Sequence, residues 1–268
     1  MKLLVLGDVM GVSGREALKD KLPKIIEENK IDFVVVNGEN AADDGRGITQ
    51  TIAEQFFLNG VDVITSGNHI WDKQDTTDYI DKENRLLRPA NLAEGSPGKG
   101  YEIYISKNKK YKIGVINLMG NVFMRKTDDV FKVAQNIKKK LILKKNVDFL
   151  IVDFHGEITS EKTAIGHFFD GKSTCVVGTH THIPTADTRI LEKGTAYQTD
   201  IGMCGDYNSV IGMNKENSLK KFLKDKKAIK HFPAEGLGTL SGVIIEADEI
   251  TGLAKKTIRL IEDGILIK

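Results

Sequence analysis

Cys175-Val176-Val177-Gly178-Thr179-His180-Thr181-His182-Ile183-Pro184 reads as a short apolar strand that delivers two histidines at its carboxyl end. On an extended segment residues i and i+2 point to the same side, so both imidazoles are expected to reach toward one point, a geometry suited to metal ligation. Pro184 cannot extend a central strand and Gly178 permits a close backbone approach, which places the pair in the loop just past the strand. A polar turn that happens to hold two histidines is the competing explanation, and the metal reading is favoured over it even in isolation. The choice rests on whether other strands end the same way.

They do. Leu3-Leu4-Val5-Leu6 is apolar at consecutive positions, as a strand buried on both faces must be, and it ends in Gly7-Asp8. Ser13 and Glu16 stand in capping-box spacing ahead of Leu18, Leu22, Ile25 and Ile26, which predicts an amphipathic helix that Pro23 could kink. Asp32 to Val36 repeats the strand pattern and runs into Asn37-Gly38-Glu39-Asn40, completing a βαβ start. After the polar stretch from Ala41 to Gly47, Thr49 is expected to cap a helix containing Ile52, Ala53, Phe56 and Phe57, stopped by Asn59-Gly60. A third strand, Val61 to Thr65, leads into Gly67-Asn68-His69-Ile70-Trp71-Asp72.

The middle of the chain changes character. Tyr101 to Ile105 and Tyr111 to Ile116 predict a β-hairpin, and Asp128 through Lys145 a long Lys-rich helix with Val130, Val133, Ala134, Ile137 and Leu141 on its inner stripe. Phe149 to Asp153 is another apolar strand, ending at Phe154-His155-Gly156-Glu157, and a helix is expected near Lys162 to Phe169. Beyond the two histidines, Arg189 to Leu191 and Ala196 to Gln198 read as short strands and Asp200 to Asn208 as a Gly-rich loop; Leu240 to Ala247 and Lys255 to Ile261 form a second hairpin. With no repeat or linker, a single mixed α/β domain over residues 1–268 is expected, with two sheets because both hairpins need packing partners.

Bulk properties narrow the classes. The 268 residues are 40% hydrophobic and 28% charged, an ordinary globular composition with a substantial core. A formal net charge of +2 argues against a dedicated polyanion-binding surface, although RNA stays compatible with it. Cys175 and Cys204 form no C-x-x-C pair and are expected to pack as small apolar groups. The apolar start is too short for a signal peptide, no stretch reaches membrane-span length, and a cytoplasmic location is the expectation.

Collected in order, the strand-end residues are Asp8, Glu39 with Asn40, Asn68 with His69, His155, and His180 with His182. Two carboxylates, amide oxygens and three or four imidazoles exceed what one four-coordinate zinc needs but suit two transition ions sharing a bridging group. Taken singly, Asp8 or Asn40 could cap a helix, Asn68 could make a turn and His155 could be a satisfied buried histidine. Their shared placement favours a dinuclear hydrolase site.

Gly7-Asp8-Val9, Asn37-Gly38-Glu39-Asn40, Gly67-Asn68-His69 with Trp71-Asp72, Phe154-His155-Gly156-Glu157 and Gly178-Thr179-His180-Thr181-His182 resemble the calcineurin-like metallophosphoesterases. More narrowly they resemble the YmdB-like branch, which includes 2',3'-cyclic-nucleotide phosphodiesterases; Arg88-Pro89-Ala90-Asn91 and Leu240-Ser241-Gly242 extend the likeness over nearly the whole chain. The first motif has Asp8-Val9-Met10 where the wider superfamily carries Asp-x-His, and the second has Gly38-Glu39 where it carries Gly-Asp, both as in the YmdB-like branch. Asn40 would supply the missing ligand.

The resemblance implies an α/β/β/α sandwich of four layers with two mixed sheets. It implies one metal on Asp8, Glu39, Asn40 and His182, the other on Glu39, Asn68, His155 and His180, with Glu39 bridging. Iron is the first expectation, with manganese or zinc as alternatives, since oxygen and nitrogen donors without thiolate suit all three. It implies hydrolysis of cyclic nucleotides, 2',3'-cyclic nucleotides to 3'-nucleotides above all, with His69 protonating the leaving oxygen; the other reading of His69 is phosphate binding or packing on Trp71. A nucleotidase or nuclease on the same metals, or a slow-turnover nucleotide-binding regulator, are the alternative functions. A homo-oligomer is compatible with the sequence. Arg88, Asn91 and the Asp200 to Asn208 loop are candidates for substrate contact, with turn structure as the competing role.

Overall fold

Strands of consecutive apolar residues need something to bury against on both faces, and here both faces have it. A computed structural model describes residues 1–266. In chain order the elements are β1 Lys2–Val9, α1 Gly11–Asn29, β2 Phe33–Asn37, α2 Gln50–Leu58, β3 Val63–Thr65, α3 Gln74–Ile80, β4 Tyr101–Ile105, β5 Lys112–Met119 and α4 Val130–Lys140. There follow β6 Phe149–His155, α5 Thr159–Phe169, β7 Cys175–Thr179, β8 Arg189–Ile190, β9 Ala196–Gln198, β10 Met203–Cys204, α6 Lys215–Phe222, β11 Leu240–Ala247 and β12 Ala254–Glu262.

One six-stranded sheet runs β12-β11-β1-β2-β3, with β10 also paired to β1; the other runs β4-β5-β6-β7-β9-β8. Both are mixed. In the first, β1, β2 and β3 are parallel while β11 and β12 are antiparallel. In the second, β5, β6, β7 and β9 are parallel and the edges β4 and β8 antiparallel. The first hairpin thus supplies an edge of the second sheet, and the closing hairpin an edge of the first.

Alternation along each strand assigns the layers. Leu3, Val5, Phe33 and Val35 pack with Ile113, Val115, Phe149, Ile151, Cys175 and Val177 in one cluster between the two sheets. Leu4, Leu6, Val34 and Val36 face the other way, onto Leu18 and Leu22 of α1 and Phe56 of α2. On the far side Ile116, Leu118, Leu150, Val152 and Val176 meet Val130, Ala134 and Ile137 of α4 and Ile165 and Phe169 of α5. Three cores therefore separate four layers, the sandwich that the family resemblance implies. Each fully buried Leu, Ile or Phe contributes about 1.5–3 kcal/mol by leaving water. Cys175 and Cys204 are buried and free, packing as apolar groups.

Some local expectations change. Thr49 does cap α2, its hydroxyl accepting from Ile52 N at 3.3 Å. Ser13 does not cap α1: it lies inside the helix, buried, and donates to Gly236 O at 2.8 Å, while Met10 holds the cap position. The Lys-rich helix ends early, at Lys140, although Asp129 caps it by accepting from Phe131 and Lys132 amides. The expected loop from Asp200 to Asn208 contains β10, in parallel register with Asp8 and Val9 of β1, and α3 and α6 arise where no helix was expected. Both are seven- or eight-residue helices whose weak pattern leaves packing to decide. Among the described residues no helix is long and apolar enough to cross a membrane.

Candidate metal centre

Every parallel strand nearest the middle of the sandwich ends at the same place. Asp8 is on β1, Glu39 and Asn40 follow β2, Asn68 and His69 follow β3, His155 closes β6, and His180 and His182 follow β7. Asp8, Glu39, Asn40, His155 and His182 are buried, while Asn68, His69 and His180 are partly accessible. Gly67 makes room for this crowding: a Cβ there would lie 2.2 Å from the His155 ring and 2.3 Å from Glu39 Oε2.

His155 Nε2 is the focus of the cluster. It lies 2.9 Å from Glu39 Oε1, 3.1 Å from Asn68 Oδ1 and 3.1 Å from His180 Nδ1. Glu39, His155 and His180 offer donor atoms that all lie within 4.8 Å of one another. Beside this group, His182 Nε2 lies 3.2 Å from Asn40 Oδ1, and Asp8 Oδ2 accepts from His180 N at 3.1 Å.

The second nitrogen of each imidazole is already engaged. Thr179 Oγ1 donates its one proton to Asp153 Oδ1 at 2.8 Å, so at 3.0 Å it can only accept from His155 Nδ1. His180 Nε2 faces the Glu157 carboxylate at 2.9 Å. His182 Nδ1 donates to Ile211 O at 2.8 Å. With those protons placed, His155 Nε2, His180 Nδ1 and His182 Nε2 each turn a lone pair inward. Outer partners of this kind are what orient ligating histidines.

Such a set of inward acceptors repels itself unless a cation sits among it. Asp8 Oδ1 and Glu39 Oε1 are buried with no hydrogen-bond partner, for although His155 Nε2 is close to Glu39 Oε1 the two are not aligned as a hydrogen bond. Oxygen and imidazole donors, two orphaned carboxylate oxygens and no thiolate fit a divalent transition ion. Without one, a proton does the work. Burial acts to lower the pKa of His155, but the charge of Glu39 and its neighbours overcomes it and lifts the group to about 9. Burial likewise pushes Glu39 up, and His155 more than offsets this, drawing it down to about 2. Burial and the His155 charge depress His180 to about 3, and burial raises Asp8 to about 6.

The expectation that His180 and His182 share one face of an extended segment is corrected. Their φ values are 101° and 67°, well outside the strand region, so the loop coils and sends one ring to the His155 group and the other to Asn40. A buried ion pair supports that coil. Lys162 Nζ of α5 meets Asp200 Oδ2 at 2.6 Å, the same oxygen accepts from Thr181 N between the histidines, and Asp200 Oδ1 accepts from Gly202 N at 2.8 Å. Gly202 O in turn receives Asp8 N. Gly178 does permit a close approach: a Cβ there would lie 1.8 Å from Thr199 O.

His69 stands apart from the inward donors. Its amide donates to Glu39 Oε2 at 3.0 Å and its ring Nδ1 is 2.8 Å from Asp72 Oδ2, which turns Nε2 away from Asp72. Two of the candidates for substrate contact make the turn-holding contacts that were their competing role. The Arg88 guanidinium donates to the carbonyls of Pro89, Ala90, Ser96 and Pro97, and the fully buried Asn91 ties Met119 to Thr127 and Asp128. Sequence reasoning missed Asp153, Thr179, Lys162 and Asp200 in these supporting roles. Glu157 and Asp72 stood inside recognised motifs, whereas the Ile211 carbonyl leaves no trace in residue type.

The family model for YmdB-like proteins matches residues 4–260. The chain is 45% identical over 261 residues to the 2',3'-cyclic-nucleotide 2'-phosphodiesterase of Bacillus subtilis, covering 97% of each. The fold superposes with a TM-score of 0.87 on a phosphatase of Mycoplasma pneumoniae, at 38% identity over 99% of this chain and 95% of that one. It superposes equally, at 0.87, on a hypothetical protein of Thermus thermophilus, at 33% identity over 98% and 100%.

Proposed function

We propose, because this chain belongs to the YmdB-like protein family, that it is a metal-dependent phosphodiesterase that opens 2',3'-cyclic nucleotides at the 2' oxygen to give 3'-nucleotides. The observation that carries this reading is the convergence of Glu39 Oε1, Asn68 Oδ1 and His180 Nδ1 on His155 Nε2, all within 3.1 Å, with each ring's other nitrogen already engaged.

In this reading Glu39, Asn68, His155 and His180 hold one ion, and Asp8, Glu39, Asn40 and His182 hold a second, with Glu39 common to both; iron is the preferred metal, with manganese or zinc as alternatives. When bound, the ions polarise phosphoryl oxygens and make water nucleophilic at neutral pH. The protein's own residues do the rest. Water adds to phosphorus, the P–O2' bond breaks, and the departing oxygen needs a proton. His69 supplies it from Nε2, and the Asp72 carboxylate at Nδ1 steadies the imidazolium before transfer and orients the ring throughout. We also read residues 1–268 as one catalytic unit in the cytoplasm; the core shared between the sheets supports the first point, and residues 267 and 268 lie outside the described residues.

The test uses purified protein stripped of metal and resupplied with manganese or iron, assayed on 2',3'-cyclic AMP and bis-p-nitrophenyl phosphate beside His69→Ala. Metal is expected to restore both activities. The variant should keep its metal and lose about 10²- to 10⁴-fold on the cyclic nucleotide, but far less on the nitrophenyl ester, whose leaving group departs without a proton. Metal uptake with no cleavage of either diester, and turnover of phosphomonoesters instead, would replace this function with a phosphatase.

A further inference from the structure

A nucleoside cyclic phosphate carries a flat base whose faces must rest on something, and two of the candidates to meet it, Arg88 and Asn91, are occupied with structural hydrogen bonds. The loop after β5 offers another surface. Phe123 on this loop is 86% exposed, and its φ is 59°. A left-handed backbone at a bulky residue costs of order 1–3 kcal/mol, and a phenyl ring left in water returns nothing for it. Strain and exposure at one aromatic residue are the marks of a side chain whose partner is a ligand.

The loop's position says which ligand. Met119, at the end of β5, is in register with His155, and Gly120 N donates to His155 O at 2.9 Å. Glu161 of α5 accepts from the amides of Asn121 and Val122, fixing the rising limb. On the returning limb an Arg125 guanidinium nitrogen lies 3.6 Å from Asp72 Oδ1, the carboxylate whose other oxygen holds His69. The loop that carries Phe123 is therefore anchored on one limb beside His155 and on the other beside the Asp72 that holds His69. At 3.8 Å per Cα step its Cα stands no farther than about 11 Å from that of Gly120 and about 8 Å from that of Arg125, lengths comparable to a nucleoside's own.

We propose that Phe123 is the stacking platform for the substrate's nucleobase, so that the loop Gly120–Lys126 determines the preference for nucleoside over simple cyclic phosphodiesters. The proposal rests on the phosphodiesterase reading and names the part of the substrate that the metal cluster does not touch. A phenyl face accepts every base but stacks best on the larger purines, so cyclic AMP gains more than cyclic CMP.

The test compares the metal-loaded full chain with Phe123→Ala and Phe123→Trp on 2',3'-cyclic AMP and on methyl riboside 2',3'-cyclic phosphate, which has no base, and adds equilibrium binding of 3'-AMP. The preference in kcat/KM for the nucleotide over the base-free diester should shrink roughly 5- to 100-fold in Phe123→Ala, through KM, and be kept in Phe123→Trp. A preference unchanged in Phe123→Ala overturns the platform and leaves the phosphodiesterase standing. Should the wild type open neither diester, yet bind 3'-AMP more weakly by a similar factor in Phe123→Ala with recovery in Phe123→Trp, the platform holds and the phosphodiesterase reading falls. No cleavage, with 3'-AMP binding indifferent to residue 123, overturns both.

Discussion

A histidine becomes a metal ligand only when something decides which nitrogen carries its proton. Thr179 does this for His155: its hydroxyl gives its proton to Asp153 and so must receive one from Nδ1. Burial raises the Asp153 pKa above the ordinary carboxylate value, and hydrogen bonds from Thr65, Thr179 and Asn37 together with the His155 charge limit the rise. Thr179→Val keeps the shape and removes the hydroxyl. Metal affinity is expected to fall about 10- to 100-fold, with turnover largely restored at saturating metal. Manganese titration by calorimetry reads this, and an unchanged affinity would mean that the hydroxyl does not set the ring. The candidate ligand types were legible in the sequence because His, Asn, Asp and Glu recur after strands. The proton assignments were not, since neither Thr179 nor Asp153 is a ligand type that its position in a largely apolar strand marks as a partner of His155.

The elements matter here mainly for what they do at their ends. The loop after β7 is held in a coil at His180 and His182 by Asp200, and Asp200 is held by Lys162 on α5, with both members of the pair 1% exposed. A buried pair that loses one partner leaves an uncompensated charge behind. Lys162→Met should therefore cost about 3–5 kcal/mol in denaturant unfolding, and adding Asp200→Asn should recover much of it. A double variant as unstable as the single would point to lost packing of the lysine stem instead. Strand identities and βαβ order were readable from runs such as Leu3 to Leu6 and Phe149 to Val152, because consecutive apolar residues demand two covered faces. The cap of α1 is not readable in this way: Ser13 matches a capping box in spacing, yet the helix begins earlier and its hydroxyl finds Gly236, more than two hundred residues away.

At the scale of the whole molecule, the two sheets press their parallel strand ends together, so His155 and His180 of one face Asp8 and Glu39 of the other. This has a pH signature. In metal-free protein His155 is raised from 6.5 to about 9, so the stability it contributes is fully present below pH 6.5 and is lost as pH rises through 9. The groups at Asp8, Glu39 and His180, at about 6, 2 and 3, finish titrating before most of that window. The melting temperature of metal-stripped protein should decline between pH 6.5 and 9, and metal should abolish the decline by replacing the proton. A calorimetric profile that stays flat without metal would contradict the Glu39–His155 pairing. The sequence by itself determined the two-sheet α/β class, the buried parallel strands and the candidate ligand types, because burial periodicity and strand-end chemistry are local properties of a chain, while the count of four layers came with the family resemblance. Only the tertiary structure decided which nitrogen of each histidine faces inward, that Arg88 and Asn91 hold local turns, and that Phe123 is exposed on a left-handed backbone. Those depend on partners distant in sequence, and a residue's type does not record what folding brings next to it.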